Sequence, residues 1–135
     1  MTDPLEKLAV SASELDRELL ATTLADLARI DKQSGEIRFT REAAQLPKNL
    51  QLLTYLMARK AATALATALG FIFEEPISSK DLTSKLGMSG GSVRGQLSIF
   101  SKERLVANKA GKYWIPSYAI ERVKALLEQA SRKEK

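Results

Sequence analysis

The sequence predicts a mainly α-helical fold that carries one small β-hairpin in its C-terminal half. Apolar residues recur at helical spacing through most of the chain. Within residues 77–118, serines stand where two short helices can begin, and Gly87 stands where the first of them can end. The pair Ala110-Gly111 lies between an apolar start and an aromatic finish, as the turn of a hairpin does.

Composition limits the chemistry that this chain can perform. Its 135 residues are 44% hydrophobic, which suffices for a single core. The chain has no cysteine and no histidine, so disulfides, Ser-His-Asp or Cys-His catalysis and the common zinc sites are excluded. Carboxylate-only metal sites are left open, but no acidic cluster suggests one. We therefore expect no cofactor, no metal site and no catalytic activity.

The first helix is predicted from Ser13 to Ile30. Leucines in this stretch recur at the spacing that places them along one side of a helix. Such a stripe must be covered, and it either packs on the chain's own core or pairs with the same helix of a second copy. Residues 1–10 lack the basic start and apolar core of a secretory signal, so a cytoplasmic location is expected.

A short β segment and a helical turn are expected next. Ile37 and Phe39 alternate with charged residues within 31–40, which predicts a short hairpin or a single strand. Residues 41–46 have room for one helical turn, and Pro47 separates that turn from the following element.

The longest periodic element is predicted to be a helix from Lys48 to Leu69. Its many alanines suggest close contact with neighbouring helices. The uncharged run 61–73 is shorter than the roughly 20 apolar residues that cross a bilayer, so membrane insertion is not favoured. Phe71 to Phe73 are expected to form a short core strand that pairs with the hairpin.

Two short helices follow, with signals for both ends of the first and for the start of the second. Ser78 or Ser79 can cap the first helix, and Gly87 stands where a left-handed residue ends one. Ser89 can cap the second helix, in which three apolar residues recur at the i, i+4, i+7 spacing of a buried stripe. That stripe consists of Val93, Leu97 and Phe100.

The pattern over this stretch is shared with a known superfamily. It comprises Ile77, Asp81, Leu82, Leu86, Gly87, Ser92, Val93, Arg94, Leu97, Phe100, Glu103, Leu105 and Val106, followed by a basic hairpin. With these residues the stretch resembles the winged helix-turn-helix superfamily. Two positions depart from the pattern. Arg104 stands where many relatives have a helix-ending glycine, and Ile99 where an exposed polar residue is usual.

The resemblance implies a winged helix-turn-helix domain over residues 48–117, with residues 1–47 and 118–135 as extensions. The first extension holds the N-terminal helix and the short β segment. The second is a helix that Pro116 and Ser117 open. The apolar stripes of the two terminal helices predict a homodimer.

Positive charge is concentrated in the C-terminal part of the chain. Residues 76–135 hold 12 Lys+Arg and 5 Asp+Glu, net +7, whereas residues 1–75 hold 9 and 11, net −2. This excess fits an electrostatic footprint for phosphates, although ordinary surface charge would give the same total.

The resemblance further implies that the second short helix enters the major groove of double-stranded DNA, with the hairpin as a wing near the minor groove or backbone. Burial of the apolar stripe leaves small residues and one arginine exposed on that helix, and further cations follow it. The candidate nucleic-acid-binding residues are Ser89, Gly90, Gly91, Ser92, Arg94, Gly95, Ser98, Lys102, Arg104, Lys109 and Lys112.

We expect binding to be driven by phosphates and to be weakly selective. Arg94 alone among the exposed residues of that helix is long enough for a bidentate contact with guanine. The glycines around it do not match the phosphate-loop motif, so a mononucleotide site is not favoured. The expected function is a small transcriptional regulator or chromatin-associated factor. A protein-protein adaptor that docks through Ile99 and the glycine face is the alternative, and an enzyme is a distant third.

Overall fold

The computed structural model describes residues 12–133, and within them it leaves out the side chains of residues 12–15, 67 and 131–133. Residues 1–10, interpreted above as lacking a signal, and the side chain of Leu15 therefore lie outside the described residues. The described part is mainly helical, with a two-stranded and a three-stranded antiparallel sheet. In chain order the elements are α1 (Ala12–Leu24), β1 (Ala28–Ile30), β2 (Ile37–Phe39), α2 (Arg41–Ala44), α3 (Lys48–Leu69), β3 (Ile77–Ser78), α4 (Ser79–Leu86), α5 (Gly90–Lys102), β4 (Ala107–Lys109), β5 (Lys112–Trp114), a 3₁₀ turn (Ser117–Ala119) and α6 (Ile120–Lys133).

The first helix is shorter than predicted. It ends at Leu24 rather than Ile30, because residues 28–30 form β1 and pair with β2. The antiparallel pairs are Ala28↔Phe39, Arg29↔Arg38 and Ile30↔Ile37. Of the two alternatives for the β segment, the hairpin is therefore the one that forms, and its first strand comes from the end of the predicted helix.

Two polar side chains hold this N-terminal hairpin in place. The Thr40 hydroxyl donates to the Asp26 carbonyl oxygen over 2.6 Å and so fixes the chain between α1 and β1. In the turn, the Asp31 carboxylate accepts backbone N–H bonds from Ser34 and Gln33 at 2.9 and 2.8 Å. These bonds favour the ionised carboxylate and lower the pKa of Asp31 below its ordinary value.

Helix α3 is the centre of the fold, and its bounds are those predicted. Gly70 ends it in the left-handed conformation at φ 80°. Every residue from 51 to 58 is buried. Both terminal helices, α1 and α6, pack against α3 and against each other.

The apolar stripes of the terminal helices are covered within the chain. Leu20 and Leu24 on α1 belong to the same buried core as Ile120, Val123 and Leu127 on α6. The N-terminal stripe therefore packs on the chain's own core, which was the first of the two alternatives.

The segment between α3 and β3 differs from the prediction. Phe71 to Phe73 do not form a strand, and β5 pairs with β3 instead. The rings of Phe71 and Phe73 lie beside Gly35 in the turn of the N-terminal hairpin. The two phenylalanines thus join this segment to the N-terminal hairpin rather than to the β4–β5 hairpin.

Two cations of α3 hold the same segment. The Arg59 guanidinium donates to the backbone carbonyl oxygens of Glu74 and Glu75, the two residues that follow Phe73. Its Cζ also lies 4.7 Å from the centre of the Phe73 ring. Lys60 Nζ lies 3.1 Å from Glu75 Oε2. Burial raises the pKa of Glu75, and the neighbouring Lys60 opposes that shift.

The three-stranded sheet has the strand order β3-β5-β4 and includes the predicted hairpin. Ala110 and Gly111 form its two-residue turn with φ 54° and 78°. Positive φ at both positions is the pattern of a type I′ turn. Arg104 is also left-handed, at φ 61°. After α5 the chain therefore takes the backbone conformation that favours glycine, although an arginine occupies the position.

Ala110→Gly is expected to raise the free energy of unfolding by about 1 kcal/mol, because the left-handed conformation strains alanine but not glycine. Ala125→Gly is the matched control, since Ala125 is exposed on α6. There the same change is expected to lower the free energy of unfolding by about 1 kcal/mol. Urea denaturation measures both variants, and equal losses of stability would contradict the turn geometry.

Candidate nucleic-acid interface

Helices α4 and α5 begin with the caps that the sequence predicts. The Ser78 hydroxyl accepts the N–H of Asp81 at 3.2 Å, and Gly87 ends α4 at φ 65°. The Ser89 hydroxyl accepts the N–H of Ser92 at 3.1 Å and so caps α5. Local signals therefore fix the turn from which α5 departs.

One side of α5 is buried and the rest faces outward. Val93, Leu97 and Phe100 belong to the core, as predicted. Ten of the eleven candidate residues are exposed, and Gly90 is half-buried. The structure thus leaves the whole candidate set at or near the surface.

A groove between α5 and the β4–β5 hairpin, which we call the hairpin groove, gathers part of that set. Its volume is about 390 Å³. It is lined by Arg94, Ser98, Ser101, Lys102, Asn108 and Tyr113. The lining holds two cations, four neutral polar residues and no acidic residue. The Arg94 guanidinium itself lies beside Gly90, one turn earlier on α5, where a Cβ would be 3.1 Å from Arg94 Nη1.

A second groove, which we call the α3 groove, lies between α5 and the first turn of α3. Its volume is about 590 Å³. It is lined by Lys48, Asn49, Met88, Ser89, Ser92, Gly95, Gln96 and Ile99. Ile99 is 47% exposed, so this groove is partly apolar and carries less charge than the hairpin groove.

The remaining candidate residues line neither groove. They are Gly90, Gly91, Arg104, Lys109 and Lys112. Lys112 Nζ lies 4.0 Å from Glu74 Oε2, but both side chains are largely exposed and the pair is weak. The grooves therefore bring together six candidate residues, and the other five contribute charge or space around them.

Sequence reasoning missed several residues of the two grooves. Lys48 and Asn49 come from α3, far from α5 along the chain, and the sequence gives no signal of this proximity. Asn108 and Tyr113 are paired across the hairpin, and this pairing follows from a two-residue turn at Ala110-Gly111, which was predicted. Ser101 was not among the residues predicted to be exposed on that helix.

Charge around α5 is strongly one-sided. Residues 82–120 contain six Lys+Arg and a single acidic residue, Glu103, net +5. The cations are Lys85, Arg94, Lys102, Arg104, Lys109 and Lys112. This part of the surface therefore attracts anions.

Packing within the described chain does not explain two glycines of α5. A Cβ at Gly91 or Gly95 would meet no described heavy atom within 4 Å. Glycine in a helix interior nevertheless costs about 0.5–1 kcal/mol relative to alanine. Gly95 is therefore not needed to make room for another part of the fold. Its missing side chain instead leaves open space on the outer side of α5.

Other kinds of site receive no support from the described residues. Over residues 12–133 no group of three or more acidic side chains is placed to hold a metal ion. None of the helices in this range is long and apolar enough to cross a membrane. Comparison with protein-family models, with curated proteins and with solved structures finds no match to this chain.

Proposed function

We propose that residues 48–117 form a winged helix-turn-helix domain that binds the backbone of double-stranded DNA. The order α3, β3, α4, α5, β4, β5 supports this assignment, because it is the order of elements that the resemblance implies. In this proposal β3 takes the place that was predicted for Phe71 to Phe73.

The observation that carries the proposal is the outward face of α5. This face carries small residues, which let another molecule approach closely, and the cations Arg94 and Lys102. The neighbouring hairpin adds the exposed cations Lys109 and Lys112. Phosphates are the anions that a cationic surface of this kind recognises on nucleic acid. Because Gly91, Gly95 and Ser98 cannot reach base edges, the binding is weakly selective.

The biological role that follows is that of a small transcriptional regulator or chromatin-associated factor in the cytoplasm. It has no catalytic activity of its own in this proposal. DNA is its partner, and neither a cofactor nor a membrane is required.

Fluorescence anisotropy on random-sequence duplexes across a salt series tests the proposal. Affinity is expected to fall steeply with salt, with little variation among sequences. A single strand of equal length serves as the control for duplex recognition. A flat salt dependence, or no affinity at low salt, would count against DNA binding.

Gly95→Ala is expected to raise the free energy of unfolding by about 0.5–1 kcal/mol and at the same time to weaken DNA binding. The added methyl group fits the free protein, but it keeps the DNA backbone farther from α5. Gly95→Gln extends the series, because glutamine also favours helix and is larger. Denaturation and anisotropy measure the two effects separately, and unchanged affinity in both variants would show that no partner approaches Gly95.

The alternative function is a protein-protein adaptor, and one observation favours it. Ile99 is 47% exposed and lies in the α3 groove beside the half-buried Met88. An apolar side chain in that position suits a protein partner better than a phosphate. Failure of the anisotropy experiment would make this alternative the leading one.

The homodimer stays a prediction, although the stripes on which it rested are covered within the chain. Light scattering at micromolar concentration measures the mass directly. A dimer is expected at twice the chain mass of 14.9 kDa. A mass near that of one chain would contradict it.

A further inference from the structure

The hairpin groove has the composition of a specific site rather than of diffuse surface charge. Its α5 residues Arg94, Ser98, Ser101 and Lys102 are spaced i, i+4, i+7 and i+8, which places them on one side of the helix. Facing them, Asn108 and Tyr113 are directly opposed across β4 and β5. Three separate elements thus contribute polar residues to the lining of one groove.

The hydroxyl group of Ser101, a residue that lines this groove, makes no hydrogen bond in the described chain. Its Oγ is shielded from solvent and has no hydrogen-bond partner among the described residues. Five helical threonines of the described chain behave differently, because each donates to the carbonyl oxygen four residues earlier. These are Thr22, Thr23, Thr54, Thr63 and Thr83. A buried hydroxyl without a partner is costly, so rotation of the Ser101 side chain toward an acceptor brought into the groove would be favoured.

The donors in the groove suit one kind of ligand. Arg94 and Lys102 supply positive charge, and serine hydroxyls, the Asn108 amide and the Tyr113 hydroxyl can all donate. A phosphate group offers acceptor oxygens only, together with negative charge, and no lining carboxylate opposes it. The groove is open toward the face of α5 that we propose binds DNA, so the phosphate it meets there is part of a nucleic-acid chain.

We propose that the hairpin groove binds one phosphodiester group of the DNA backbone and fixes the position of the protein along the duplex. The inference rests on the proposed function. Arg94 and Lys102 neutralise the phosphate, and the neutral donors orient it. The other cations, Lys109 among them, contact neighbouring phosphates outside the groove and add salt-dependent affinity.

A double-mutant cycle on one short duplex at fixed salt tests this assignment. Ser101→Ala removes a donor without removing charge. It is expected to weaken binding about tenfold, to leave the salt slope unchanged and to leave the fold at least as stable as before. Asn108→Ala gives the same readout from the hairpin, since Asn108 is exposed and its replacement leaves the core untouched.

Pairs of variants show whether two residues bind the same phosphate or only add independent positive charge. Ser101→Ala combined with Arg94→Gln is expected to cost less than the product of the two single effects, because both act on one ligand group. Ser101→Ala combined with Lys109→Gln is expected to give the full product. Wild-type affinity in both Ser101→Ala and Asn108→Ala, or full additivity in both pairs, overturns the site.

Failure of the proposed function has a different signature. If the wild-type chain binds no duplex at low salt, DNA binding itself is wrong, and inorganic phosphate then tests the groove alone. Chemical-shift changes at Ser98, Asn108 and Tyr113 that vanish in Arg94→Gln would support an anion site of the same geometry. The absence of such changes would overturn it.

Discussion

Gly35→Ala is expected to lower the free energy of unfolding by about 2–4 kcal/mol, because the substitution combines backbone strain with a steric clash. Gly35 is buried at φ 78°, a conformation that strains any residue with a side chain. A Cβ there would lie 2.7 Å from Phe71 Cε2 and 2.9 Å from Phe73 Cδ2. Both distances are well inside van der Waals contact.

Neither ring can withdraw easily. Phe71 is buried and packs edge-on against Phe73, with ring centres 6.4 Å apart. Phe73 is covered by the Arg59 guanidinium, which also holds the following backbone. The added methyl group therefore forces apart the contact between the N-terminal hairpin and the segment after α3.

Gly70→Ala is the matched control for this prediction. Gly70 has a similar φ of 80°, but a Cβ there would meet no described heavy atom within 4 Å. Its replacement is expected to cost only about 1 kcal/mol of backbone strain. Chemical denaturation of both variants separates strain from clash, and equal losses would mean that the phenylalanine contact is unimportant.

The double reversal Lys109→Glu with Lys112→Glu is expected to weaken DNA binding roughly 50-fold near 0.1 M salt, if the proposed function is right. Each lysine lost as a phosphate contact lowers the log-log salt slope by about 0.9, so the pair lowers it by about 1.8. Both side chains are exposed beside the hairpin turn, and the fold should be nearly unaffected.

A second double variant, with the same change in net charge, controls for a non-specific electrostatic effect on DNA binding. Lys32→Glu with Arg41→Glu also changes the net charge by four, from +5 to +1, and both residues are exposed outside the two grooves. This variant is expected to retain most of the affinity and slope. If the two double variants weaken binding equally, net charge rather than the hairpin drives association.

Elements whose ends carry local signals could be predicted from the sequence. Pro47 and Gly70 flank α3, so this helix begins and ends where expected, and α5 begins after its predicted cap Ser89. Residues 28–30 were wrongly assigned because an apolar residue near the end of a helical stripe also suits a short strand. Pairing with β2, which lies outside any local window, decided their conformation.

The positive charge of the candidate site could be predicted from the sequence, but its two grooves could not. Lysines and arginines near α5 are visible in the chain, whereas the grooves depend on how α3 and the hairpin flank that helix. The strand expected at Phe71 failed for a similar reason. The Phe71 and Phe73 rings lie beside Gly35, which is far away along the chain, and the edge of β5 is taken by β3.

The packing of α1 against α6 affects how this chain is made. The two helices are about 100 positions apart, so their contact closes nearly the whole described chain into one loop. During synthesis at about 5–20 residues per second, α1 and α3 leave the ribosome several seconds before α6 can cover them. For that interval the apolar face shared by α1 and α3 is open to chaperones, and a chain truncated before Ile120 would keep it open permanently.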